Sequence, residues 1–205
     1  MHGVDGISQE AREELGILQI KEKLPFTPGE DYAYFDCTRA ETANGVNCVL
    51  RSLADLLKRD NSGKDWDIER FLDENCSDTS FKLEYFDRYS DRECDYFLTS
   101  QFTTTLHHLL KQKKHLPEQT ALKLYYDLLR TLTHLQQADV LHRDLNPKSI
   151  FLIEDLSTQE YKVRIANFGY ALRECTGSGI AASEAEYVSP MVISCEVTME
   201  SGRVG

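Results

Sequence analysis

Val140-Leu141-His142-Arg143-Asp144-Leu145-Asn146-Pro147-Lys148-Ser149-Ile150-Phe151-Leu152 is the most informative run of the chain. Its apolar ends enclose a polar centre in which an imidazole, a guanidinium and a carboxylate stand on consecutive residues. Upstream, Pro117 and Glu118 open the strongest helical pattern of the sequence. Leu122, Tyr125, Leu128, Leu129, Leu132 and Leu135 recur there at helical spacing, which predicts one stripe facing a core. Downstream, residues 150–152 and 163–165 read as short strands joined by the polar loop 154–160.

Further toward the N-terminus, Thr103, Thr104 and Thr105 are cap candidates for a short helix over 106–110. The first half is strand-like. Residues 32–35 and 46–50 are β-rich runs separated by the turn-forming Ala43-Asn44-Gly45, and 81–86 and 95–98 flank the polar turn 87–93. Residues 65–75 interrupt them with a helical spacing that lets Trp66, Ile68, Phe71 and Leu72 share a face. Residues 8–15 predict a short helix with Ser8 as its N-cap and Gly16 just past its end. A strand-rich first part and a helix-led second part predict an α+β protein in two lobes, hinged near 101–104.

The run His142-Arg143-Asp144-Leu145, placed after a long helix and before a two-strand hairpin, resembles the catalytic loop H-R-D-L-x-x-x-N of protein kinases. Ala166-Asn167-Phe168-Gly169 stands where that family has its metal-binding D-F-G. Tyr187-Val188-Ser189-Pro190-Met191 stands where A-P-E closes the activation segment. The order of the three motifs implies the kinase fold, with a small β-rich N-lobe and a helical C-lobe. The resemblance covers residues 18–192, strongly after Tyr96 and weakly before it. It implies an N-terminal extension at 1–17, an N-lobe at 18–101, a partial C-lobe at 102–192 and a tail at 193–205. Residues 192–205 carry no helical stripe, so the C-lobe is expected to be incomplete and the stripe near Leu128 and Leu132 partly uncovered.

The departures from the family pattern bear on activity. Phosphoryl transfer is positioning plus neutralisation of phosphate charge, largely by magnesium. The family's metal ligands fall here on Asn167 and Ser149, which offer oxygen without the negative charge that a hard cation favours. The phosphate-covering loop falls on Leu24-Pro25-Phe26-Thr27-Pro28-Gly29-Glu30-Asp31-Tyr32. It keeps the single glycine Gly29, and its prolines and carboxylates remove amides and repel an anion. Arg51 takes the place of the nucleotide-binding lysine, with Glu69, or Asp67 in a shifted register, as its expected carboxylate partner. Asp144 stands in the position of the catalytic base, for which a structural hydrogen-bonding role is the open alternative. Arg143 is expected to bind a phosphorylated loop residue or to brace its own loop, and His142 to pack in the core. By family analogy, Gln101 and Phe102 in the hinge would present backbone groups to an adenine ring.

The resemblance with its departures implies a pseudokinase: a scaffold or allosteric regulator whose partner is another kinase or that kinase's substrate. It requires no cofactor, with ATP and magnesium relevant only if activity remains. The competing expectation is a weak serine/threonine kinase using Asp144. The composition gives 23 Lys plus Arg against 34 Asp plus Glu, a net charge of −11 over 205 residues. That balance argues against nucleic acid or an anionic membrane as the partner. No apolar run approaches the roughly 20 residues that span a bilayer. Six cysteines without a CxxC pair, and no signal-peptide pattern, lead us to expect reduced thiols and an intracellular, cytoplasmic location, with the nucleus left open.

Overall fold

The computed structural model describes residues 7–25, 32–40, 45–53, 62–158 and 160–173, and the structural statements below concern those. Ser8 accepts a hydrogen bond from the Ala11 N–H at 3.3 Å and so caps α1 (Gln9–Glu14), as the sequence predicts. Gly16 then takes φ +62°, which a glycine adopts without a Cβ clash, and turns the chain into β1 (Ile17–Lys23).

Five antiparallel strands form the first sheet, in the order β1, β2 (Tyr32–Arg39), β3 (Val46–Leu53), β5 (Asp95–Thr99) and β4 (Tyr85–Ser90). β2 and β3 pair along their whole length, from Tyr32 opposite Leu53 to Arg39 opposite Val46, and Arg51 lies opposite Phe97 of β5. Both strands run several residues beyond the sequence expectation because pairing, unlike a short β-rich run, continues wherever a neighbour supplies the ladder. The run expected to be one strand over 81–86 is divided. Its first part pairs with the later strand residue Ile165, through Ile165 N–H to Phe81 O at 3.1 Å and Leu83 N–H to Ile165 O at 2.9 Å.

The helix α2 (Ser62–Asn75) buries Ile68 and Leu72, with Trp66 and Phe71 packed at the edges of the core. Beyond the first sheet come β6 (Thr104–Thr105), α3 (Leu106–Lys113), α4 (Glu118–Gln137), β7 (Val140–Leu141), β8 (Ile150–Asp155) and β9 (Glu160–Ile165). A 3-10 turn, Phe168–Tyr170, and β10 (Leu172–Arg173) follow. Thr105 caps α3 by accepting the His108 N–H at 3.2 Å. β6, β8 and β9 form a second sheet with β9 at its edge, and β10 pairs with β7. The α+β, two-lobe architecture expected from the sequence is therefore the one observed.

The predicted stripe of α4 is corrected. Leu124, Thr131 and Leu135 are buried and Leu128 and Leu132 pack against the core, but Leu122, Tyr125 and Leu129 are 47%, 56% and 41% exposed. At about 100° per residue, the exposed group is centred roughly 130° around the helix from the buried one. The apolar arc is wider than the face that β9 and the segment before β4 can cover, so periodicity alone overstated the contact.

Candidate functional site

β3 aims the Arg51 side chain into the protein, where it is 1% exposed and lies over the rings of Phe97 (4.3 Å) and Tyr85 (5.0 Å). One guanidinium nitrogen stands 2.6 Å from Oδ2 of Asp65 in the first turn of α2, and the other donates to Oδ1 of Asn167. Asp65 holds the far side of the arrangement as well, since its Oδ1 accepts the Phe168 N–H at 2.7 Å. Asn167 sits at φ +70°, a left-handed conformation that asparagine tolerates better than most residues. A strand, a helix and the turn after β9 are thereby joined through one buried guanidinium.

The expected partners Glu69 and Asp67 are not the ones used. Asp67 is exposed, and Glu69, fully buried, lies 2.8 Å from the ammonium of Lys82, which is also 2.9 Å from Asp73. Asp65 and Glu69 share a helix face four residues apart. The turn nearest β3 carries Asp65, so the register of α2, not the residue type, selects the partner.

Burial pushes the Glu69 carboxyl up to about 8, even with Lys82 beside it. Burial works against the Lys82 ammonium too, but the neighbouring carboxylates outweigh it and hold its pKa above the ordinary value. With Glu69 protonated, Lys82 and Asp73 balance each other. Because the folded state binds the Glu69 proton more tightly than the unfolded chain does, this stabilisation is complete below about pH 4.5 and is lost as pH rises through about 8. Glu69→Gln is expected to flatten the decline of unfolding free energy between pH 5 and 8. Urea titrations at several pH values measure it; equal slopes for the two proteins would contradict the assignment.

The 142–149 loop forms a second polar cluster. Asp144 N–H donates to His142 Nδ1 at 3.3 Å, so Nε2 carries the proton and donates to Ala166 O at 3.0 Å. Burial lowers the His142 pKa, keeping the ring neutral, and it packs 4.9 Å from the Phe168 ring. Arg143 is half-buried at φ +65°. Oδ1 of Asp144 accepts the Asn146 side-chain amide at 3.0 Å. The Ser149 hydroxyl, 1% exposed, accepts the Asn146 N–H at 3.0 Å and turns toward the carbonyls of Asp144 (3.1 Å) and Asn146 (2.9 Å).

Of the residues singled out in the sequence, the structure thus joins Arg51 with Asn167, and gathers His142, Asp144 and Ser149 in one loop. Glu69 belongs to the separate Lys82 cluster. Gln101 is exposed and donates to Asp36 Oδ1 at 3.2 Å. Phe102 is buried edge-on against Tyr34 (5.5 Å) and Phe151 (4.8 Å), a core position. Gly29, with residues 26–31 around it, and the 187–191 motif lie outside the described residues. Sequence reasoning missed Asp65, Lys82 and the grip of Asn146 on Asp144. The four-residue spacing of Asp65 and Glu69 was a usable signal for the first; nothing marks Lys82 in sequence, because its burial depends on a distant helix.

The protein kinase domain family model matches residues 69–202, well over half of the chain, and the chain belongs to that family. A serine/threonine-protein kinase of Arabidopsis thaliana, PEPKR2, is 38% identical over 80 residues, covering 38% of this chain and 16% of that protein. Mitogen-activated protein kinase 4 of Homo sapiens is 40% identical over 76 residues, covering 37% of this chain and 12% of that protein. The matched stretches span less than a fifth of the length of these two relatives. A crystal structure of a kinase domain superposes with a TM-score of 0.68 at 14% identity, covering 87% of this chain and 57% of that one, a likeness of fold. Among the described residues, no helix is long and apolar enough to cross a membrane.

Proposed function

We propose that this kinase-fold chain regulates or scaffolds protein phosphorylation by binding a protein partner, another kinase or its substrate, without transferring phosphate itself. The observation that carries this reading is the Arg51 guanidinium held between Asp65 and Asn167. Magnesium, when bound in this family, neutralises phosphate charge. The residues present do not fit it. Asn167 offers its only side-chain oxygen to Arg51, and the Ser149 hydroxyl is committed to the backbone of its own loop. Neither supplies the negative charge that would draw the ion out of its water shell. Arg51 is 1% exposed, and its guanidinium is held by Asn167 as well as by Asp65, which turns its charge onto the neutral residue at the metal position and away from a phosphate.

Loss of one preorganised electrostatic contact costs about 10²–10³ in rate, and losses within one unit do not fully add. Two lost metal ligands, together with arginine in place of the lysine, lower transfer by about 10⁴-fold or more. Asp144, retained on its loop, favours a second reading as a weak serine/threonine kinase. Against it stands the Asn146 amide that already occupies Oδ1 of Asp144.

Incubation of the purified chain with radiolabelled ATP, magnesium and a basic protein substrate separates the two. Label incorporation is expected to match the enzyme-free blank, and Asp144→Ala to leave it unchanged. Incorporation above blank that Asp144→Ala abolishes would establish the second reading.

A further inference from the structure

A cleft of about 370 Å³ opens between α4, the edge strand β9 and the turn at Asp78 and Ser80, and it shares no residue with the Arg51 site. Arg130, Lys162 and Arg164 line it, three cations against the two carboxylates Asp78 and Asp127 in a chain whose net charge is −11. Both carboxylates are engaged locally. Asp127 accepts the Val163 N–H at 3.2 Å and lies 3.7 Å from Arg130, while Asp78 accepts the Ser80 N–H at 2.8 Å and stands 3.9 Å from His134.

The Arg164 guanidinium is half-buried, and among the described residues its one hydrogen bond goes to the Val163 carbonyl at 2.8 Å. Five donors on a guanidinium leave most of its capacity unused. Among the described residues, no carboxylate lies within ion-pair distance of Arg164 or Lys162. Desolvation pulls the Arg164 pKa below its ordinary value, with Asp127 and Asp78 opposing it from a distance. A half-buried guanidinium with so few partners is improved by any carboxylate that enters the cleft.

Lys162 and Arg164 are two apart on β9 and so project from the same face. Their spacing along the strand is about 6.8 Å, which is also the spacing of alternate side chains in an extended peptide. A free anion would be gripped by converging cations; these are strung out along a strand, with Arg130 on the helix α4 and Phe81 also lining the cleft.

We propose that this cleft binds an extended acidic segment of a protein partner, with carboxylates at alternate positions seated on Lys162 and Arg164 and met by Arg130 at the rim. The site deepens the partner-binding function proposed above but does not require that the chain be catalytically silent.

The test is fluorescence anisotropy of the full chain with a fluorescein-labelled decapeptide of alternating glutamate and threonine. The control peptide carries glutamine at every glutamate. The acidic peptide is expected to bind at least about tenfold more tightly, the value of one charge-assisted hydrogen bond. Arg164→Gln and Arg130→Gln are each expected to weaken it several-fold, and amide shifts to concentrate at residues 127–134 and 162–164. Arg130 is largely exposed, so its variant remains informative if Arg164→Gln folds poorly. Equal affinity for the two peptides, or affinity indifferent to Arg130→Gln, overturns the proposal. Complete displacement of the acidic peptide by millimolar inorganic phosphate overturns it in favour of a free-anion site. Acidic-peptide binding by a chain that is found to transfer phosphate, with the transfer abolished by Asp144→Ala, would sink the silent-kinase reading alone and leave the cleft standing.

Discussion

Arg51→Met is expected to lower the unfolding free energy by about 3–5 kcal/mol, the usual cost of removing one member of a buried ion pair. The loss is large because Arg51 does three things at once. It compensates Asp65, satisfies the Asn167 carbonyl and covers the faces of Phe97 and Tyr85. Methionine keeps much of the volume, so the loss reports the missing charge and hydrogen bonds, not a cavity. Adding Asp65→Leu to Arg51→Met is expected to recover part of the loss, because the stranded carboxylate goes with its partner. Urea unfolding of the wild type, both single variants and the double variant measures this. Additive losses would show that the two side chains do not act as a unit.

Phe151→Ala is expected to cost a similar amount, about 3–5 kcal/mol, by opening a cavity where surrounding groups cannot collapse. Phe151 is fully buried on β8 and packs edge-on against Phe102 (4.8 Å) and Tyr34 of β2 (6.2 Å). It therefore ties the second sheet to the first, and its removal should also broaden the unfolding transition as the two sheets uncouple. Phe151→Leu fills more of the site and should cost less. A Phe151→Ala loss below about 1 kcal/mol would mean that the rings repack, in contradiction to their close mutual contact.

Much of the fold was legible because it is written locally. Ser8 and Thr105 cap the helices they precede, and the polar centre at 142–149 carries its own internal hydrogen bonds, so short motifs sufficed to place them. The His142 side chain in the core was legible for the same reason. The Arg51 partner was not, because Asp65 and Glu69 occupy one helix face and only the start of α2 against β3 separates them. The exposed leucines of α4 were misread because periodicity records which residues are apolar and not how wide a surface lies opposite. Lys82 and Arg164 drew no attention in sequence, since a buried ammonium and a half-buried guanidinium acquire their character from elements distant along the chain.

The claim on which the function rests is that Arg51, fixed between Asp65 and Asn167, leaves no place for a metal-bound nucleotide. Thermal unfolding with millimolar ATP, in the presence of magnesium or of a chelator, tests it most directly, because any ligand bound only by the folded state raises the midpoint. The account predicts the same midpoint in both solutions as in buffer alone. A midpoint that rises with magnesium and ATP together, and returns to the buffer value when the metal is chelated, would contradict it.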